Sequence, residues 1–66
     1  MKLTVNGEPK ELPENATVSD LIQAMGFQGR AVAVEVNREL IPHRAHEQTA
    51  LSAGDAVELV TLVGGD

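Results

Sequence analysis

The apolar residues of this chain keep a helical period in one place only. Val18, Leu21, Ile22 and Met25 recur at i, i+3, i+4 and i+7, behind a Thr17 suited to cap a helix and an Asp20 placed to complete a capping box. A single amphipathic stripe has to be covered, and the flanking segments, which alternate at period two, are the material available to cover it. One sheet curled over one helix is the architecture this dictates. At 66 residues there is room for one core and not for two. With no cysteine, neither a disulfide nor a thiolate metal site braces that core, and with Phe27 as the only aromatic residue it must be built from Val, Leu, Ile, Ala and Met.

The strands follow from the alternation. Lys2 to Asn6 places Leu3 and Val5 on one face, and Asn6-Gly7 is a dipeptide favoured in type I′ hairpin turns, where both central residues need positive φ. A short second strand runs from about Glu8 to Leu12; Pro9 cannot donate to a ladder and belongs at a strand start or a free edge, and Leu12 faces the core. Gly26 ends the helix after about two and a half turns, and Gly29 prolongs the turn into the next strand. Ala31 to Asn37 sets Val32, Val34 and Val36 against Ala31, Ala33 and Glu35. A turn at Asn37-Arg38 leads into a brief strand, Glu39 to Ile41, which Pro42 terminates. His43 to Thr49 is polar, with room for one helical turn, and Ser52 to Asp55 is a turn. The last strand, Ala56 to Leu62, is apolar on both faces: Val57 and Leu59 on one, Val60 and Leu62 on the other.

The order β-β-α-β-β-β defines an α+β chain of β-grasp (ubiquitin-like) arrangement: a mixed sheet of four to five strands packed on one main helix, first and last strands side by side at its centre. Residues 1–63 are expected to form one domain, and 64–66 a flexible C-terminal tail carrying Gly-Gly.

Ten acidic against five basic residues give a net charge of −5, which repels phosphate backbones and anionic lipid alike, so neither nucleic acid nor a membrane surface is the expected partner. Acidity spread over a small globule reads first as a solubility device, and a basic partner protein is the other reading. No apolar run approaches the about 20 residues of a membrane span, and the N-terminus alternates as a strand instead of forming a signal peptide; the expected location is cytoplasmic. His43 and His46 lie at i, i+3 beside Glu47, a spacing that can chelate, but Arg44 repels a cation and both histidines read as solvent-facing, so no metal is expected. Glu35 with Glu39 and Asp55 with Glu58 pair carboxylates with no pocket between them. No Ser/His/Asp set, phosphate loop or dinucleotide fingerprint is present, so no catalytic residue is assigned and an independent enzyme is the least expected reading.

What remains is the end of the chain. Gly64-Gly65, after Val63, lacks side chains and makes a thin thread able to enter a narrow active site on another protein. The chain as a whole resembles the sulfur carriers of thiamine biosynthesis, the ThiS family. The resemblance is carried by Leu3-Thr-Val-Asn-Gly7, Thr17-Val-Ser-Asp-Leu21, Val34-Glu-Val-Asn37, Leu40-Ile-Pro42, and Leu51-Ser-Ala-Gly-Asp-Ala-Val-Glu-Leu-Val60 leading to Val63-Gly-Gly65. It implies that Gly65 bears the chemistry. A ThiF-type adenylyltransferase related to ubiquitin-activating enzymes would use ATP and Mg²⁺ to adenylate its carboxylate, a persulfide donor would displace AMP to leave a thiocarboxylate, and a ThiG-type thiazole synthase would take the sulfur. The carrier itself holds no cofactor.

One residue departs from that pattern. The chain continues to Asp66, so Gly65 is an amide and not a free carboxylate. Removal by a C-terminal peptidase, tolerance by the activating enzyme, and a variant last residue are the three readings of Asp66; trimming is preferred, because related carriers of other sulfur pathways resemble this chain in extending past the glycines. Val60, Leu62 and Val63 are expected to form the partner interface, the alternative being a central strand covered on both faces within the domain. The alternatives are a carrier for molybdopterin, cysteine, methionine or siderophore assembly, and a non-carrier β-grasp binding module, which would leave Gly64-Gly65 without a purpose.

Overall fold

A computed structural model describes residues 1–62. The first hairpin pairs β1 (Lys2–Val5) with β2 (Glu8–Glu11) antiparallel, Val5 opposite Glu8. Asn6 and Gly7 turn it at φ of 54° and 83°, the two left-handed conformations that the dipeptide is suited to supply. Thr17 then opens α1 (Val18–Ala24): its hydroxyl accepts from the Asp20 N–H, and the Asp20 carboxylate accepts from the Thr17 N–H, completing the capping box. At seven residues α1 is shorter than its apolar stripe, because Met25 is already the C-cap and Gly26, at φ 81°, turns the chain out of the helix. Met25 still packs against the core from the cap position.

The second hairpin, β3 (Val32–Val36) and β4 (Glu39–Ile41), turns at Asn37 and Arg38, both with positive φ (53° and 71°) and neither a glycine. A 3₁₀ turn over His43–Ala45 follows, and the chain closes with β5 (Ala56–Thr61). The strand order is β2-β1-β5-β3-β4. β5 lies in the middle, parallel to β1 (Val5 beside Val57) and antiparallel to β3 (Val34 beside Leu59), so the first and last strands are central neighbours as their hydropathy requires. A mixed five-stranded sheet covering one helix is the β-grasp fold.

The core lies between the inner sheet face and α1. Leu3, Val5, Val32, Val34, Val57 and Leu59 come from the sheet, and Val18, Leu21 and Ile22 from the helix. Val18 and Leu21 are completely buried, each contributing about 1.5–3 kcal/mol of transfer free energy. Leu12, Ala16 and Leu51 complete the core, the last two at a place the local pattern does not mark. The 49–51 segment crosses the entrance of α1, where the Leu51 N–H donates to the Ala16 carbonyl and the Val18 N–H to the Thr49 carbonyl.

The two histidines part company here. His43 is exposed, but His46 is 4% exposed, which corrects the expectation that both face solvent. The cause is local. The 3₁₀ turn carries His46 inward, its Nε2 lies 3.2 Å from the Ile41 carbonyl, and its own backbone carbonyl accepts the Ser19 N–H. Among the described residues no group of three metal-ligating side chains assembles around the pair.

Candidate functional site

The described chain ends beside β3. The Leu62 N–H donates to the Ala31 carbonyl at 2.8 Å, so the antiparallel pairing of β5 with β3 continues one residue past β5, up to the start of the tail. Of the candidate residues, Val63, Gly64, Gly65 and Asp66 lie outside the described residues. Val60 and Leu62 lie within them, on the sheet face turned away from α1, each 57% exposed.

The alternation of β5 explains this division. Val57 and Leu59 point into the core at 1% and 4% exposure, so Glu58, Val60 and Leu62 must point outward. The register extends the outward surface sideways: Val60 stands beside Ala33, Glu58 beside Glu35, and Glu35 in turn beside Leu40 on β4. Leu40 is 62% exposed, the most exposed large apolar residue described. It belongs to the same face as Val60 and Leu62, and its own three-residue strand is too short for the sequence to show which face it takes. Leu40, Val60 and Leu62 are the exposed large apolar residues described, and all three share this open sheet face.

Two asparagines hold β5 in place, and neither bond was legible in the sequence beyond a turn propensity. Beyond Val57, β1 has already turned away, and the side chain of Asn6 takes over its ladder. Its Oδ1 accepts the Leu59 N–H at 2.8 Å and its Nδ2 donates to the Leu59 carbonyl at 3.1 Å. At the other end of β5, Asn37 Oδ1 accepts the Ala56 N–H and its Nδ2 donates to Asp55 Oδ1, while its backbone N–H donates to the Ala56 carbonyl. Both asparagines sit at positive φ, which asparagine adopts more readily than most side chains because its short amide bonds to nearby backbone. The strand that delivers the tail is therefore bonded along both edges.

An open groove lies elsewhere, between α1 and the start of β3, lined in part by Gln23, Arg30, His43 and Glu47. Asp20, on its wall, is already committed to the helix cap. No helix among the described residues is long and apolar enough to cross a membrane.

A β-grasp domain whose central strand is followed in sequence by Gly64-Gly65, with Leu40, Val60 and Leu62 exposed on its outer sheet face, is the form of a ubiquitin-like carrier. The comparisons agree. The ThiS family pattern matches residues 3–65, nearly the whole chain and up to the second glycine. The sulfur carrier protein ThiS of Thermus thermophilus is 36% identical over 92% of this chain and 94% of its own length. A thiazole synthase of Paramagnetospirillum magneticum is 40% identical over 98% of this chain, which spans only 20% of that protein. The crystal structure of the thiamine biosynthesis protein ThiS from Geobacter metallireducens superposes over the full length of both chains with a TM-score of 0.83 at 38% identity. The chain belongs to the ThiS family, the sulfur carriers of thiamine biosynthesis.

Proposed function

We propose that this chain is a protein co-substrate whose Gly65 carries sulfur as a thiocarboxylate for thiazole formation, after removal of Asp66. Hydrolysis of the Gly65–Asp66 amide frees the glycine carboxylate. A ThiF-type adenylyltransferase then uses ATP and Mg²⁺: a carboxylate oxygen attacks the α-phosphorus, and pyrophosphate leaves. The terminal sulfur of a persulfide attacks the acyl carbon and expels AMP, and a thiol cleaves the resulting acyl persulfide to thiocarboxylate and disulfide. The thioacid sulfur is the nucleophile offered to thiazole synthase. Gly64 and Gly65 enter the partner's active site, and Val60, Leu62 and Val63 are where the partner holds the domain. The chain's own contribution is presentation.

The observation that carries this reading is the extent of the family match, which closes on Gly65 and leaves Asp66 outside it. The thiazole synthase containing a segment similar to this chain supports a ThiG-type acceptor, since a carrier and its acceptor gain effective concentration when joined. Net charge and the exposed outer face support docking on another protein.

Intact-mass spectrometry tests it. Incubation with a ThiF-type enzyme, ATP, Mg²⁺ and a persulfide donor should convert a chain ending at Gly65 by exchange of one oxygen for sulfur. The 66-residue chain should react only after losing Asp66. If the Gly65-terminated chain is inert, the carrier reading fails; if the full chain gains sulfur with Asp66 still attached, the trimming step fails.

A further inference from the structure

The outer sheet face carries a defect that the fold alone does not explain. β3 and β5 pair Glu35 directly with Glu58, and both side chains are exposed. Opposed residues on neighbouring strands hold their Cβ atoms about 5 Å apart, and like charges so placed destabilise a sheet. The ion pairs formed among the described residues both belong to the Met1 ammonium, with Glu11 and Glu14, and no basic group of those residues stands within 4 Å of either Glu35 or Glu58. The two carboxylates are framed by apolar side chains: Leu40 beside Glu35, Val60 one step further along β5, and Leu62 beyond it. Ala33, small and only partly exposed, lies next to Val60 on the same face.

We propose that Glu35 and Glu58 receive one cationic side chain, arginine or lysine, from the protein that docks on this face. The methylene stem would lie over Ala33 and Val60, with its charged end between the two carboxylates. A long basic side chain is suited to such a mixed site, because its stem covers apolar surface while its head stays polar. A second copy of this chain is the wrong occupant: it would bring another Glu35–Glu58 pair onto the first, on a protein already at −5. The proposal rests on the reading that the outer face docks the activating enzyme. It adds the chemistry of recognition and assigns Leu40, Glu35 and Glu58 to the surface. The repulsion within the free sheet is relieved in the complex, so these two acids should favour binding at the expense of stability.

The experiment is a titration of a purified ThiF-type adenylyltransferase with the full chain, the double variant Glu35→Gln/Glu58→Gln, and Leu62→Asp, at low and high salt. The double variant is expected to bind about fivefold more weakly at low salt, with the difference shrinking at high salt. Its unfolding midpoint should equal or exceed that of the parent. If it binds as the parent does while Leu62→Asp still loses binding, the cation site is refuted and the docking face stands. If neither change affects binding, the docking face itself is refuted. A parent chain that self-associates, and a double variant that does so more tightly, would refute the basic partner in favour of a second copy.

Discussion

Asn6 offers the sharpest test of how the tail-bearing strand is held. Its amide makes two bonds to the backbone of one residue, Leu59, at 2.8 and 3.1 Å, both partly buried. Each such bond contributes about 1 kcal/mol net, so losing both should cost about 2 kcal/mol. Asn6 also stands at φ 54°, where a residue with a Cβ and no local amide is strained by about 1–2 kcal/mol. Two substitutions separate these effects. Asn6→Gly keeps the backbone conformation and removes the bonds, for a loss of about 2 kcal/mol. Asn6→Ala removes the bonds and adds the strain, for a loss of about 3–4 kcal/mol. In a domain of this size 1 kcal/mol moves the midpoint by about 4–8 °C, so Asn6→Gly should melt at least about 8 °C below the parent and Asn6→Ala lower still. Urea denaturation followed by circular dichroism gives the free energies, and amide exchange at Leu59 should accelerate in both. An Asn6→Gly variant within about 0.5 kcal/mol of the parent would show that water replaces the amide without loss, and that the side chain does not continue the β1 ladder.

Three further outcomes are expected. Leu21→Ala empties a fully buried position and should cost about 2–5 kcal/mol, enough in so small a domain to abolish a cooperative thermal transition by circular dichroism. Arg38→Gly should raise stability by about 0.5–1 kcal/mol in urea denaturation, because φ 71° at the second turn position is strained for arginine and free for glycine. Leu62→Asp places a charge on the open face, beyond the core; it should leave the melting curve within a few degrees of the parent while weakening capture by the activating enzyme, and unfolding instead would mean that Leu62 belongs to the core.

The elements legible from sequence are those whose signal is local. Thr17 and Asp20 announce the start of α1 within four residues, Asn6-Gly7 fixes the first hairpin, and alternation separates Val57 and Leu59 from Val60 and Leu62 without reference to any other strand. What was not legible depends on pairing across the fold. Leu40 reads as one apolar residue in a short strand until the register sets it beside Glu35 and hence on the face of Val60. In the sequence Glu35 and Glu58 stand nearest to the carboxylates of Glu39 and Asp55, whereas the sheet opposes them to one another. His46 reads as polar surface because nothing near it announces that the 3₁₀ turn will seal it against Ile41 and the helix entrance. Asn6 and Asn37 carry a turn signal strong enough to hide their second role, since the same left-handed conformation that makes the turn also aims the amide at β5.

The central position of β5 decides what a partner can use. Its inward side chains are spent in the core, and its two edges are bonded to β1 and β3, with Asn6 and Asn37 extending those bonds beyond the strand pairing itself. An edge strand leading to the tail would have offered free N–H and carbonyl groups to any passing strand, an invitation to unspecific pairing. Here that route is closed. What β5 and the residue after it leave exposed is the outward row Glu58, Val60 and Leu62. On the proposed reading, recognition and folding use alternate residues of one strand. Substitutions at the outward positions should change which enzyme holds the domain without unfolding it, and substitutions at Val57 or Leu59 should do the reverse.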